Sequence, residues 1–155
     1  MNYSALVQAI QDYTQNEETS FVSNIPTFVQ QAEERINRSI MLPELRKNAT
    51  ASTLTGNKYI ARPSDFLSVF SFAVVDAAGE YSYLIDKDVS FIREAYPSAS
   101  TQALPKYYAQ FDGDASGTEG NFILGPTPDA AYAVELHYYY DPESIVTSGT
   151  SWYGE

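Results

Sequence analysis

The chain has 155 residues, 44% of them hydrophobic and 14% aromatic, which is enough to bury the core of one domain. The absence of cysteine excludes disulfide bonds, thiolate metal sites and a cysteine nucleophile. Twenty acidic and nine basic residues give a formal net charge of −11. This charge argues against ordinary binding of duplex DNA, because such binding depends on cations that neutralise phosphates.

The charge is unevenly distributed along the chain. Residues 1–43 carry a net charge of −3, residues 44–70 carry +2 and residues 71–155 carry −10. The positive stretch contains Arg46, Lys47, Lys58 and Arg62. A solvated ribbon is the ordinary interpretation of such a charged stretch, and contact with an acidic partner is the alternative.

Residues 1–43 have the periodicity of two amphipathic helices. The first has a stripe of Tyr3, Leu6, Val7, Ile10 and Tyr13, and a polar connection over residues 15–23 follows it. The second helix is predicted over residues 23–40, with Asn24 as its cap and Pro26 in its first turn. Its stripe consists of Ile25, Phe28, Val29, Ala32, Ile36 and Ile40, while Glu34 points the opposite way. We expect the two stripes to pack together as a helical hairpin.

Residues 44–147 have the alternation typical of strands. The turn signal Gly56-Asn57 predicts a β-hairpin that brings the four basic residues together. Residues 66–75 are apolar on both faces, with Phe66, Phe70, Phe72 and Val74 on one of them. A strand of this kind is typical of a two-sided core or of a contact between subunits.

The later elements are a strand at residues 81–85, a short helix capped by Asp88, strands at residues 106–111 and 121–124, and a last strand. In the last strand Tyr132, Val134, Leu136, Tyr138 and Tyr140 face one way. That alternation is expected of a core, although exposed tyrosines could also stack on sugars or bases. The prediction is an α+β fold in one compact domain: a helical hairpin, then an antiparallel β-sandwich or barrel-like region with one short helix.

The two ends of the chain support further expectations. The N-terminal 15 residues lack the basic start and apolar core of a signal peptide, and no apolar run approaches the length of a membrane span. Residues 148–155 form a tail in which Trp152 has nothing local to pack on. We therefore expect the parent protein to continue beyond this tail.

Two motifs suggest chemistry, each weakly. Asp112, Asp114 and Ser116 match the first ligands of a calcium loop, but Ile123 stands where the bidentate carboxylate belongs. A glycine-rich hairpin loop is the simpler interpretation. His137, the only histidine, shares a strand face with Glu135, yet no G-x-S-x-G motif accompanies the pair. A surface or interface histidine is therefore favoured over a catalytic base.

Three segments carry a resemblance to a known family. They are FVQQAEERINR at residues 28–38, ARPSDFLSV at residues 61–69 and YYYDPESIV at residues 138–146. Together with the order of elements, they resemble the head-to-tail adaptor, or connector, proteins of tailed bacteriophages. The members of that family typically continue with C-terminal helices, which this sequence lacks.

The resemblance implies a virion protein without catalysis or cofactor, made in the cytoplasm of the host bacterium. Twelve copies are expected to form a ring that binds the portal protein and the tail or nozzle proteins and extends the DNA channel. Glu17, Glu18 and Glu34 are then candidates for lining the channel, where negative charge would keep passing duplex DNA from adhering. Phe66, Phe70, Phe72, Arg46 and Lys47 are candidates for contacts between subunits or with partners.

Two other classes of function remain open at this point. One is a monomeric β-rich module that binds carbohydrate through exposed tyrosines, with an ion in the Asp112 loop. The other is a hydrolase, which depends on His137 alone. Light scattering after size exclusion separates the module from the ring, because only the module is a stable monomer.

Overall fold

A computed structural model describes residues 2–111 and 120–149. Within these ranges the chain forms four α-helices, one 3₁₀ turn and eight β-strands. The helices are α1 (Tyr3–Thr14), α2 (Thr19–Ser39), α3 (Val89–Ala95) and α4 (Ile145–Ser148), and the 3₁₀ turn is Pro43–Leu45. The strands are β1 (Arg46–Ser52), β2 (Tyr59–Ala61), β3 (Phe66–Val75), β4 (Tyr81–Tyr83), β5 (Ile85–Asp86), β6 (Tyr107–Phe111), β7 (Asn121–Gly125) and β8 (Ala133–Tyr140).

The α+β class is confirmed, and the contacts divide the chain into two compact units. One contains Met1–Leu45 and Asp141–Glu155, and the other is Arg46–Tyr140. The strands therefore end at Tyr140, and the segment that follows, which the sequence assigned to the β-rich region, joins the helical unit. No helix in the part of the chain that the structure describes is long and apolar enough to cross a membrane.

The predicted helical pair is present, but α2 begins earlier than expected. Asn24 is not its cap: the helix starts at Thr19, and the Asn24 side chain donates a hydrogen bond to the Ser20 carbonyl at 2.7 Å. Pro26 consequently lies inside the helix, where it removes the N–H that the Val22 carbonyl would accept. The additional turn carries Phe21, which packs in the helical core. Burial of the Phe21 ring stabilises this turn although the local sequence does not favour the start of a helix there. The predicted start of α2 at residue 23 was therefore wrong.

The core of the helical unit joins three helices. Ile25 and Val29 of α2 are buried together with Ile145 of α4, and four side chains of α1 pack against them: Tyr3, Leu6, Val7 and Ile10. Tyr13, which the sequence placed in the same stripe, is instead 92% exposed.

The strands form two four-stranded sheets in the orders β1-β8-β3-β4 and β2-β7-β6-β5. Among the described strands, all pairs are antiparallel except β5 with β6. The predicted hairpin of β1 and β2 is wrong, because β1 pairs with β8 while β2 pairs with β7 of the other sheet. Gly56 does turn the chain, with φ of +76° and its N–H donating to the Pro128 carbonyl at 2.9 Å. The turn carries the chain across to the second sheet. The hairpin prediction failed because a turn signal does not specify which strands pair.

The core of the sandwich is aromatic. Phe72 packs between Tyr108 and Phe122 of the facing sheet, with ring centroids 5.2 and 5.0 Å away. From β8, Val134, Leu136 and Tyr138 point into the same cluster, as the alternation of that strand predicted. Each fully buried side chain of this size contributes roughly 1.5–3 kcal/mol, so this cluster is the main source of stability for the unit.

A second small core lies where α3 packs on β6 and β7. It contains Ile92, Ala109 and Ile123. The helix starts as predicted, because the Asp88 side chain accepts a hydrogen bond from the Ser90 N–H at 2.7 Å, and this bond lowers the pKa of Asp88. At Gly125 the packing below the helix is tight: a Cβ would lie 3.1 Å from Ile92 and Tyr96 atoms, so a larger residue would require these side chains to shift.

Candidate interaction surfaces

The strand β3 presents fewer aromatic side chains to solvent than its sequence suggests. Its register with β8 shifts twice, between Phe66 and Ser68 and between Val69 and Ser71. Because each shift changes the face of the following residues, Phe66 and Phe72 lie on the core side whereas Phe70 lies on the outer side. Phe72 is 3% exposed and Phe70 is 51% exposed. Of the three predicted contact residues, Phe70 alone is openly available to a partner, and the expectation that all three share one face is wrong.

Arg46 and Lys47 lie at the start of β1 and are held differently. The Arg46 guanidinium lies 4.0 Å from the centroid of the Phe70 ring and donates to the Tyr139 hydroxyl at 2.9 Å. Lys47 extends to the opposite face and donates to Asp65 at 2.6 Å. Arg46 and Phe70 together therefore form one exposed cationic and aromatic patch on the outer sheet face.

Asp65 is held by two side chains of the sandwich. It accepts hydrogen bonds from Lys47 Nζ at 2.6 Å and from the Tyr138 hydroxyl at 2.8 Å. Burial by itself raises the pKa of Asp65, but the hydrogen bonds from Lys47 and Tyr138 outweigh burial and leave the pKa below its ordinary value. Burial and the bond to Asp65 raise the pKa of Tyr138 to about 12. The cluster therefore stays ionised at Asp65 and neutral at Tyr138 near neutral pH, as a structural anchor would.

His137 and Glu135 pair on the outer face of β8. His137 Nε2 lies 2.8 Å from Glu135 Oε1, and the Asn48 amide donates to the same oxygen at 3.3 Å. The His137 side chain is 43% exposed, so it is a surface histidine, the interpretation that the sequence favoured.

A shallow groove of about 340 Å³ adjoins this pair. Tyr81 and Tyr83 form one wall, with their rings stacked at 6.3 Å and with exposures of 54% and 68%. A hydrogen bond with Glu135 raises the pKa of Tyr81. Aromatic faces beside a carboxylate can bind a sugar or an extended peptide.

The weak calcium candidate, Asp112, Asp114 and Ser116, lies outside the described residues. So does Trp152. Among residues 2–111 and 120–149, no group of three or more acidic, histidine or cysteine side chains is arranged to hold a metal ion.

The three acidic channel candidates are all exposed. Glu17 and Glu18 precede α2, and the Glu18 side chain makes no capping bond at the N-terminus of that helix. Glu34 lies on α2, 3.8 Å from Arg38 in an open pair. An exposed pair at this spacing stabilises a helix by only about 0.3–0.5 kcal/mol, so the pair of Glu34 with Arg38 contributes little to the stability of α2.

The C-terminal half of α2 carries an exposed apolar stripe that sequence reasoning assigned to the core. The stripe consists of Phe28, Ala32 and Ile36 on the helix and of Ile40 directly after it, and its three large members are 39–52% exposed. The structure shows why the stripe is left open: α1 has 12 residues and α2 has 21, so the shorter helix cannot cover the whole of the longer one. Helices with an uncovered apolar face are typical of subunit contacts.

The comparison with known families gives one match. A family model described as SU10 adaptor protein matches residues 1–155, the whole chain. No match was found among curated proteins.

Proposed function

Because the chain belongs to the SU10 adaptor protein family, whose members are structural adaptor proteins of bacteriophages, we propose that it forms a ring at the head-to-tail junction. In this proposal about twelve copies assemble between the portal protein and the tail or nozzle proteins, and the ring extends the DNA channel. The match of the family model over the full length of the chain is the observation that carries the proposal.

The exposed stripe of α2 supports the assembly of copies. Phe28 and Ile36 lie on α2, Ile40 follows its last residue, and all three are exposed in a single chain. A ring needs a heterologous interface, in which one surface meets a different surface of the next copy. We assign the stripe to one side of this interface, with the Arg46 and Phe70 patch as a candidate for contact with an acidic partner.

The acidic residues support the passage of DNA. Glu17, Glu18 and Glu34 are exposed on the helical unit, in a chain with a net charge of −11. A wall with this charge repels phosphates, so duplex DNA would pass without specific binding.

A variant of the stripe tests the ring directly. Ile36→Asp places a charge in the proposed interface, so rings seen by electron microscopy and native mass spectrometry should give way to monomers. Tyr13→Asp is the matched control, because it puts the same charge at a 92% exposed apolar position of α1 outside the stripe. Rings that survive Ile36→Asp, or that are lost equally in both variants, contradict the assignment.

One observation favours a second function, a monomeric carbohydrate-binding module. The groove beside Glu135 has the stacked Tyr81 and Tyr83 pair that a sugar ring could cover. A stable monomer in light scattering that binds glycans, and loses them with Tyr83→Ala, would favour this function over the ring.

A further inference from the structure

The strand β1 is an unusually open sheet edge. Within residues 2–111 and 120–149 it pairs only with β8, and six of its seven residues are exposed. Proteins normally protect such edges with short strands, proline, bulges or charges. The other edge strands, β2, β4 and β5, have three residues or fewer. By contrast, β1 has no proline, and its only charges are at its first two positions.

The hydrogen-bonding groups on this edge can be assigned from the register. The Thr53 N–H donates to the Tyr132 carbonyl, on the β8 side, at 2.9 Å. Successive residues of a strand direct their backbone N–H and C=O groups to alternate sides. The groups of Asn48, Thr50 and Ser52 therefore point away from β8. Three residues therefore present backbone donors and acceptors in the spacing that another strand requires.

An apolar cavity opens beside the same edge. It has a volume of about 230 Å³ and lies between the sheets, where β1 faces β2. Its walls include Ala49 and Ala51 of β1, Ile60 of β2, and Phe72 and Phe122 of the core. The two alanines are too small to close the flank of the sandwich. An apolar cavity of about 150 Å³ can hold benzene, so this one has room for an aromatic side chain.

The charge of β1 and of the turn that follows it indicates the chemistry of a partner. Residues 46–62 contain four basic residues and no acidic one, in a chain with a net charge of −11. Lys47 is paired with Asp65, and Arg46 and Lys58 still leave this segment positively charged. An acidic segment would be attracted here, whereas the rest of the chain would repel it.

We propose that β1 accepts an extended acidic segment of another protein, which adds as a strand at the free edge and inserts a bulky apolar side chain into the cavity. This is strand addition, in which main-chain bonds supply affinity and a side-chain pocket supplies specificity. The inference rests on the proposed function only in taking the partner to be another virion protein. A second copy of this chain is a poorer fit: its other described edges are too short, and a second β1 would offer alanine where the cavity needs bulk.

The test uses the purified full chain and a synthetic probe, acetyl-Glu-Thr-Val-Thr-Phe-Thr-Glu-amide. Residue-resolved hydrogen exchange should show the amides of Asn48, Thr50 and Ser52 exchanging rapidly in the free chain and slowly with the probe. The amides of Ala49 and Ala51, which face β8, should exchange slowly in both states. The probe should bind at least tenfold more tightly than versions with Ala for Phe or Lys for both Glu.

Two variants separate the edge from the cavity. Thr50→Pro removes an outward N–H without removing a bond to β8, and Ala51→Leu fills the cavity; each should weaken the probe at least tenfold. Edge amides that stay unprotected with the probe, or binding that both variants leave unchanged, overturn the proposal. Protection that rises with protein concentration alone would show a second copy on the edge and also overturns it. None of these measurements depends on ring formation, so failure of this proposal can be distinguished from failure of the proposed ring.

Discussion

At the scale of single residues, the contacts of Asp65 give a prediction that depends on pH. Its pKa is lowered in the folded chain, so the carboxylate contributes stability that is fully present above the unfolded pKa of about 3.9. That contribution is lost as the pH falls through the lower folded value. Asp65→Asn should cost about 1 kcal/mol at pH 7, because the Lys47 partner is half-exposed and screened, and this cost should shrink in acid.

The measurement is chemical unfolding at pH 7 and at pH 3 in a double-mutant cycle with Lys47→Gln. A coupling between the two sites at pH 7 that becomes smaller at pH 3 is the expected result, because the pH has then fallen below the ordinary pKa of the carboxylate. Equal costs at both pH values would show that the carboxylate charge contributes nothing.

The role of a single residue could be predicted when its partners are close in the sequence, and could not be predicted when they are distant. The cap Asp88 was predicted correctly, since its partner, the Ser90 N–H, is two residues away. The role of Asp65 was not predicted, because its partners come from positions 47 and 138. No spacing rule connects residues so far apart in the chain.

At the scale of elements, α4 depends on a side chain of α2. Glu33 accepts hydrogen bonds from the Ser144 hydroxyl at 2.5 Å and from the Ile145 N–H at 3.0 Å, at the first turn of α4. This holds Ile145 in the helical core, where it is 4% exposed. Glu33→Ala should therefore cost about 1.5–3 kcal/mol and release α4, because two bonds to a charged acceptor are lost.

Thermal unfolding together with hydrogen exchange at Ile145 measures this effect. Glu34→Ala is the control, since it changes the neighbouring and exposed carboxylate on the same helix. Faster exchange at Ile145 in the Glu33 variant alone is expected. An equal effect of both variants would refute the capping role.

The strands show where periodicity is sufficient and where it is not. The inward side of β8 followed from alternation because its described register with β1 is unbroken. The extent of β3 was predicted correctly, but its two register shifts place Phe70 on the outer face of the sheet and Phe72 on the core face. Bulges of this kind depend on the partner strand and leave no local mark, so the face of Phe70 could not be derived from the sequence. Strand pairing is non-local in the same way, which is why the hairpin of β1 and β2 was predicted wrongly.

At the scale of the whole molecule, the division into helical and β-rich parts was predictable because composition and period change near residue 44. The return of residues 141–149 to the helical unit was not, since it depends on Glu33 and on the apolar contact of Ile145. The adaptor class came from a resemblance that the family match supports. The open edge of β1 could not be predicted from the sequence, because the pairing of the whole sheet decides which strands lie at its edges.

The net charge leads to a prediction for the assembled protein. If Glu17, Glu18 and Glu34 line the channel, replacing all three by Lys turns repulsion into attraction in every copy of the ring. DNA release from particles carrying this triple variant should slow, and raising the salt concentration should restore the rate, because counterions compete for the phosphates. The control replaces three other exposed acids, Glu80, Asp86 and Glu94, by Lys, which gives the same net charge on the β-rich unit. Slowing by the first variant alone supports the channel assignment, whereas equal slowing by both variants would mean that total charge matters and the position of the acids does not.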